Sequence, residues 1–289
     1  MKTAFIRLHL AVLLAGFTGV LGRLITLNEA LLVWYRLLFS ALALWLIVSV
    51  KKTVPVLPFK TILRIFGVGL IAALHWVSFY GAIKYSNVSV TLVCFSSIGF
   101  FTALVEPVLE KKKLALREIG LGLLVMAGIF IIFQFDSKYK TGILIGIVSA
   151  FLAAVFPVLN RQLLQKISVE SLVTYELTGG FLSLSLLLPV YNYFFPAANY
   201  IPGLQDLGWL LILAVFCTVW AFYLSSYALQ HLSAFTVNLS YNLEPVYGIL
   251  LAFLLFKENE YLGLSFYVGL LLIVTAVFIQ LFSVWKKRA

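Results

Sequence analysis

The sequence predicts an all-α membrane protein that crosses the bilayer ten times. Of its 289 residues, 63% are hydrophobic and 11% are charged, and the mean hydropathy is +1.06. Soluble domains of this size do not have such a composition. Because one helical span needs roughly 20 apolar residues, the chain accommodates about ten spans with little left for soluble domains. Its function must therefore reside within the membrane part.

The first apolar segment has some features of a secretory signal, with Lys2 and Arg7 ahead of an apolar run. Nine further runs follow, so we interpret this segment as the first retained span. Hydropathy places the ten spans near residues 5–26, 30–50, 61–83, 88–108, 117–135, 141–160, 169–190, 206–228, 232–256 and 262–284.

The basic residues indicate the orientation of the spans. With the amino terminus in the cytoplasm, fifteen of the 21 Lys and Arg residues fall on the inner side and five on the outer side, while Arg36 lies inside a span. This asymmetry predicts that both termini are cytoplasmic, in a multi-pass protein of a bacterial inner membrane. Topology thus explains the net charge of +10 better than nucleic-acid binding does.

The chain contains a weak internal repeat. The segment AIKYSNVSV from Ala82 aligns with ALQHLSAFT from Ala228, a displacement of 146 residues. Five spans per half is an odd number, so the second half must be inverted relative to the first. The basic loop EKKKLAL and its net acidic counterpart KENEYLG agree with this inversion. We therefore expect two inverted five-helix repeats, residues 1–136 and 137–289.

Inverted repeats are typical of transporters that work by alternating access, with a binding site near the bilayer midplane between the halves. We expect spans one to four and six to nine to form this cavity, and spans five and ten to brace the halves. The expected partners are a small-molecule substrate, protons and the lipid bilayer.

Two segments carry a resemblance to a known family. VWYRLLFSALALW in span two and NLEPVYGILLAFLLFKENEYLGLSFYVGLLLIVTAVF across the last two spans resemble the EamA type of the drug/metabolite transporter superfamily. The resemblance covers nearly the whole chain and implies export of amino acids or similar compounds. The sequence contains no P-loop, which indicates that ion or solute gradients drive the transport. The first half departs from the pattern, because Ile98 and Gly99 occupy the positions that face Glu244 and Pro245.

Span nine carries a polar stripe. Asn238, Tyr241, Asn242 and Pro245 fall at i, i+3, i+4 and i+7 and so share one helix face. This face is predicted to bind substrate, with Pro245 as a hinge; the alternative is a packing stripe with an ordinary proline bend. Glu244 lies beside it. An ionised carboxylate at mid-membrane costs roughly 2.5 to 3.5 kcal/mol, so Glu244 is either a proton carrier or a structural hydrogen-bonding group.

Arg36 in span two and Glu176 in span seven occupy facing positions of the repeat. Small residues share both helix faces, including Gly179 and Gly180, which are further candidate hinges along with Pro157 in span six. Arg36 is a candidate ligand for a substrate carboxylate or phosphate, and Glu176 for charge coupling. The alternative for Arg36 is a structural role at a helix end.

Aromatic residues and a histidine complete the candidate binding site. His75 shares a face with Phe79 in span three and can bind substrate or carry a proton, although a lone histidine is often a neutral hydrogen-bonding group. Trp220, Tyr223 and Tyr227 form an aromatic stripe in span eight. The stripe can stack an organic solute or simply pack against lipid and protein.

The sequence argues against other kinds of function. It has no HExxH, P-loop or GxSxG motif, and its three histidines are too scattered to suggest a metal site, so neither an enzyme nor a cofactor is expected. Cys94 and Cys217 have no metal-ligand spacing and are expected to be core residues. Two alternatives remain, a flippase for a lipid-linked substrate and, more remotely, an intramembrane enzyme.

Overall fold

A computed structural model describes residues 2–51, 56–135, 137–241 and 243–286. The described residues form α-helices without any strand. The first half contains α1 (Lys2–Leu24), α2 (Glu29–Val50), α3 (Phe59–Tyr85), α4 (Val88–Phe95), α5 (Ile98–Glu110) and α6 (Leu116–Phe135). The second half contains α7 (Lys140–Leu163), α8 (Val169–Phe194), α9 (Leu204–Ala214), α10 (Ala221–His231), α11 (Ala234–Tyr241), α12 (Glu244–Phe256) and α13 (Leu264–Lys286).

Eight helical segments in the described ranges are long and apolar enough to cross a membrane, and they coincide with the first eight predicted spans. Two shorter apolar segments, Glu244–Phe256 and Leu264–Ala276, lie where spans nine and ten are predicted. An all-α polytopic membrane protein is therefore confirmed. Side-chain caps fix several helix starts: Asn28, Asn87 and Ser168 each accept a hydrogen bond from the backbone N–H three residues later.

Spans four and nine are both broken near their middle. The first is divided into α4 and α5 at Ser96 and Ser97, and the second into α11 and α12 after Tyr241. In the first break, the Ser97 hydroxyl donates to the Cys94 carbonyl over 2.7 Å. In the second, Pro245 falls in the first turn of α12, where its missing N–H costs no helical hydrogen bond. The sequence predicted a hinge at Pro245, and in the structure a new helix begins there.

The helices pack most closely where glycines meet. A Cβ atom on Gly69 of α3 would lie 2.2 Å from the Glu176 carbonyl oxygen and 2.7 Å from the Gly180 nitrogen of α8. A Cβ atom on Gly128 of α6 would lie 2.7 Å from the Gly269 carbonyl oxygen of α13. Such backbone contact is typical of membrane helices with small residues at the interface. Spans five and ten therefore pack against each other, outside the central cavity.

Candidate functional site

A central cavity lies among α1, α2, α3, the break between α4 and α5, α7, α10 and the break between α11 and α12. Seven of the residues predicted for the site from sequence line it: Arg36, His75, Phe79, Pro157, Asn238, Tyr241 and Glu244. Asn242 lies outside the described residues. The cavity therefore brings together polar side chains from the second, third and ninth predicted spans.

Arg36 is buried, with 2% of its surface exposed, and its guanidinium group is contacted by several protein groups. Its Nε donates to Thr218 Oγ1 over 2.6 Å, its Nη1 to the Tyr80 hydroxyl over 2.8 Å and its Nη2 to the Cys217 carbonyl over 3.3 Å. The guanidinium carbon lies 4.1 Å from the centre of the Trp76 ring, a favourable cation–π geometry. Described residues thus accept from three of the five N–H donors, and the other two have no partner among the described residues.

The backbone that receives Arg36 is a π-helical segment, Val215–Trp220, between α9 and α10. Thr218 Oγ1 donates to the Leu213 carbonyl five residues earlier over 2.7 Å, and Ser40 Oγ donates to the Ala214 carbonyl over 3.2 Å. The wider turn leaves the Cys217 carbonyl available to Arg36. Short π-helical segments inside α-helices frequently occur at functional sites.

His75 is fixed by Ser149 of α7. Its Nδ1 lies 3.0 Å from the Ser149 carbonyl and 2.9 Å from the Ser149 hydroxyl, and that hydroxyl donates back to the His75 carbonyl over 3.1 Å. Phe79, Phe95 and Phe156 surround the imidazole with ring-centre distances of 5.6 to 6.1 Å. The Ser149 carbonyl favours a proton on Nδ1, so Nε2 is the acceptor nitrogen.

The polar stripe of span nine faces the cavity from both sides of the break. Asn238 Nδ2 donates to Thr102 Oγ1 of α5 over 2.8 Å, which joins the two broken spans. Tyr241 lines the cavity together with Ser225 of α10. Glu244 is 4% exposed, and within the described ranges its carboxylate has no hydrogen-bond or ion-pair partner.

Glu176 is 0% exposed and reaches the cavity through Asn160 of α7. Asn160 Nδ2 lies 3.0 Å from Glu176 Oε1 and 2.9 Å from Oε2. Asn160 itself lines the cavity, and its Oδ1 has no hydrogen-bond partner in the described part of the chain. The carboxylate therefore orients an amide in the cavity wall.

The aromatic stripe of span eight does not join the cavity. Trp220 and Tyr223 lie in an outer groove between α2, α8 and the π-helical segment, and Trp220 is 49% exposed. Tyr227 lies further along α10, with the Arg7 guanidinium carbon 3.8 Å from its ring centre. The spacing i, i+3, i+7 places the three rings along one side of this helix, and that side lies outside the cavity.

The predicted hinges have different surroundings. Pro157 lines the cavity within the continuous helix α7. Gly179 and Gly180 lie within the continuous helix α8 and pack against Phe66 and Gly69 of α3. Pro245 lines an apolar groove against α13. Only Pro157 among them is therefore part of the cavity wall.

Sequence reasoning did not identify Trp76, Tyr80, Asn160 and Thr218. Trp76 and Tyr80 directly follow His75 and Phe79 in the sequence. The two residues are four apart, so they share a helix face that lies next to the face of His75 and Phe79. Asn160 follows Pro157 by nearly one helical turn. No pattern in the sequence predicts the π-helical segment that makes Thr218 a partner of Arg36.

Two ion pairs lie at opposite ends of the helix bundle. Arg23 at the end of α1 pairs with Glu258, whose carboxylate also accepts from Ser89 N over 2.8 Å and Ser89 Oγ over 2.6 Å at the start of α4. Arg161 near the end of α7 pairs with Glu110 over 2.6 Å. Each pair joins the first half of the chain to the second.

Each pair also lies beside the start of a broken span. Arg161 donates to the Leu232 carbonyl, just before α11, over 3.2 Å. Lys112 also pairs with Glu110, and this hydrogen bond raises the pKa of Lys112. The end of α12 is therefore near the start of α4, and the end of α5 is near the start of α11.

One of the two cysteines lines the cavity. Cys217 contributes to the cavity wall, whereas Cys94 is buried against Gly146 of α7. No group of three or more metal-ligating side chains occurs among the residues that the structure describes.

Comparisons with known proteins agree on a membrane transporter. The sequence profile of a family described as the EamA-like transporter family matches residues 3–134 and residues 140–282. The chain is 27% identical over 205 residues to an uncharacterized transporter from Archaeoglobus fulgidus. The aligned region covers 69% of this chain and 68% of that protein. A solved structure described only as "Crystal structure of protein" has a TM-score of 0.67 at 16% identity and covers 96% of both chains; at this identity the likeness concerns the fold.

Proposed function

Because the chain belongs to the EamA-like transporter family, we propose that it is a secondary active transporter that exports small organic metabolites such as amino acids. The central cavity is the substrate site and opens alternately to the two sides of a bacterial inner membrane. Arg36 binds a substrate carboxylate with its two remaining N–H donors. Asn238 and Tyr241 supply further polar contacts, and the rings around His75 contact apolar parts of the substrate.

The observation that carries this proposal is the pair of Arg–Glu contacts at opposite ends of the bundle. Arg23 and Arg161 occupy corresponding positions near the ends of α1 and α7, and each binds a glutamate of the other half. If the halves rock around the cavity, opening one end separates one pair while the other pair stays closed. Both pairs are formed here, which supports assigning this conformation to a state closed at both ends.

The same contacts support an inverted arrangement of the halves. Spans four and nine run in opposite directions, because the end of each lies near the start of the other. The family profile matches the chain twice, once on each side of residues 135–139. We propose two inverted repeats, residues 1–136 and 137–289, with both termini in the cytoplasm. Reporter fusions at both termini test this topology.

Glu244 and Glu176 are the proposed sites of charge coupling. Both carboxylates are buried, and neither forms an ion pair with a described residue. Burial without a direct ion pair makes the charged form of a carboxylate costly, and the positive charge nearest to serving as a partner is that of Arg36, which lines the same cavity as Glu244. Proton binding and release at these groups can therefore be linked to the two open states.

The outer groove that contains Trp220 and Tyr223 is the observation that favours a flippase for a lipid-linked substrate. It faces the bilayer and has Lys51 and Glu170 among its lining residues. However, Arg36 is separated from this groove by the π-helical segment and faces the central cavity instead. A solute carrier therefore fits the position of the buried cation better.

Counterflow uptake into liposomes tests the proposed function. Purified protein is assayed with labelled amino acids and nucleosides, with and without a pH gradient, as wild type, Glu244→Gln and the exposed control Glu260→Gln. We expect saturable uptake of at least one solute, with pH dependence lost only in Glu244→Gln. Folded protein that takes up no solute but moves a fluorescent lipid between leaflets would instead support the flippase.

A further inference from the structure

The wall of the cavity formed by α7 contains a side-chain oxygen without a donor among the described residues and a backbone carbonyl whose usual helical donor is replaced by a proline. Asn160 Oδ1 is without a partner in the described ranges. Pro157 has no N–H, so the Ala153 carbonyl loses the hydrogen bond that the helix would otherwise provide. Residues 153 and 160 are seven apart and share one helix face. Both residues line the cavity.

Glu176 determines which atom of Asn160 remains free. Both carboxyl oxygens lie within hydrogen-bond distance of Nδ2, and at least one of them accepts a hydrogen bond from that nitrogen whether Glu176 is ionised or protonated. The amide nitrogen is therefore held at Glu176, and the amide oxygen is the atom left without a donor. A buried acceptor without a donor is costly, and this cost is removed when a ligand donates to it.

We propose that Asn160 Oδ1 and the Ala153 carbonyl bind the amino group of the substrate, with Glu176 as the residue that positions Asn160. An ammonium group has three donors and no acceptor, so it matches two carbonyl oxygens near a carboxylate. Substrates that carry a keto oxygen in place of the amino group have no donor for these two oxygens and present a lone pair to them, so they are rejected. This inference rests on the proposed function and specifies the substrate class.

Cys217 provides a binding assay that does not require transport. In a Cys94→Ala background it is the one remaining thiol of the chain, and it lines the same cavity. The rate of its modification by a small methanethiosulfonate is measured in liposomes with each of the twenty common L-amino acids. Each protecting amino acid is then compared with its 2-oxo acid, in which a keto oxygen replaces the amino group and the α-hydrogen.

We expect at least one amino acid to slow the modification, and its 2-oxo acid to require at least a tenfold higher concentration. Asn160→Leu should reduce this ratio to near one. Glu176→Gln should also reduce it, because the Gln amide can donate to Asn160 Oδ1 and occupy the free acceptor. The double variant Asn160→Asp/Glu176→Gln should preserve the ratio. The Gln amide then donates to one oxygen at position 160 and leaves the other oxygen free.

Thr174→Val is the matched control. Thr174 lies on α8 beside Glu176 but lines the outer groove instead of the cavity, so the ratio should not change. If Asn160→Leu does not fold, Asn160→Leu with Glu176→Leu removes the carboxylate together with its partner and should give the same low ratio.

An unchanged ratio in a folded Asn160→Leu or Glu176→Gln variant would overturn the inference, as would a failure of all twenty amino acids to protect Cys217. Protection by 2-oxo acids that equals or exceeds protection by amino acids would overturn it as well. That last result would leave the proposed transporter function intact, because a small metabolite would still occupy the cavity.

Discussion

Lys111 and Lys257 have the same left-handed backbone conformation, with φ and ψ of 54° and 41° at Lys111 and of 53° and 36° at Lys257. Each residue directly follows the second half of a broken span, and the two are 146 residues apart, as the sequence repeat requires. The helices on both sides of the two breaks also begin 146 residues apart. Val88 and Ala234 begin α4 and α11, and Ile98 and Glu244 begin α5 and α12.

Glycine at either position should stabilise the protein. A lysine in the left-handed region carries a steric cost of about 1 kcal/mol that glycine does not have. Lys111→Gly and Lys257→Gly should therefore each raise the free energy of unfolding by up to about 1 kcal/mol, as measured by denaturant titration in detergent micelles. Lys111→Ala and Lys257→Ala remove the same side chain without relieving the backbone, so a gain of equal size in the alanine variants would contradict this explanation.

The contact between α3 and α8 predicts a strong effect of a single methyl group. Gly69→Ala places a Cβ atom against the backbone of Glu176 and Gly180, so the helices must separate, at a cost of about 1 to 3 kcal/mol. Gly67→Ala on the same helix meets nothing within 4 Å and should stabilise by up to about 1 kcal/mol through helix propensity. Thermal unfolding of the two variants should therefore shift in opposite directions, and equal shifts would argue against the close packing.

Arg36 should not be replaceable by lysine. A lysine keeps the positive charge but cannot donate simultaneously to Thr218, Tyr80 and the Cys217 carbonyl in the same planar arrangement. We expect Arg36→Lys to lose about 1 to 3 kcal/mol of stability and to abolish saturable uptake. Arg64→Lys, at an exposed position of α3, is the control and should leave both unchanged. Wild-type uptake by Arg36→Lys would remove Arg36 from the proposed site.

The buried hydroxyl of Thr174 predicts a variant of unchanged or higher stability. Its Oγ1 has no partner among the described residues, and valine has nearly the same shape without the polar atom. Thr174→Val should thus be neutral or stabilising by up to about 1 kcal/mol. A loss of stability on thermal unfolding would show that the hydroxyl is hydrogen-bonded in the membrane.

Several features of this protein could be predicted from its sequence because they depend on local composition. The apolar runs locate the helices, and the match of the family profile confirms the resemblance drawn from the segments around Arg36 and Glu244. The helical spacing of Asn238 and Tyr241 predicts a shared face, and both line the cavity.

Other features depend on contacts between distant segments, which spacing along one helix does not reveal. The partnership of Asn160 with Glu176 requires the packing of α7 beside α8. The position of Trp220 could not be predicted because helical spacing shows which residues share a face, but not whether that face meets the cavity or the outer groove. The Arg23 and Arg161 ion pairs join residues of opposite halves, and the sequence offers only the charge of each residue.

Alternating access is tested most directly by the reactivity of Cys217 from each side of the membrane. In the Cys94→Ala background, membrane-impermeant methanethiosulfonate is applied to intact cells or to inside-out vesicles carrying wild type, Glu258→Gln, Glu110→Gln or the control Glu260→Gln. Loss of one charge-assisted pair should shift the population of open states by about tenfold or more.

We predict that Glu258→Gln accelerates labelling only from outside and that Glu110→Gln accelerates it only from the cytoplasm, while Glu260→Gln resembles wild type. Equal acceleration from both sides in either variant, or no acceleration in both, would contradict the account.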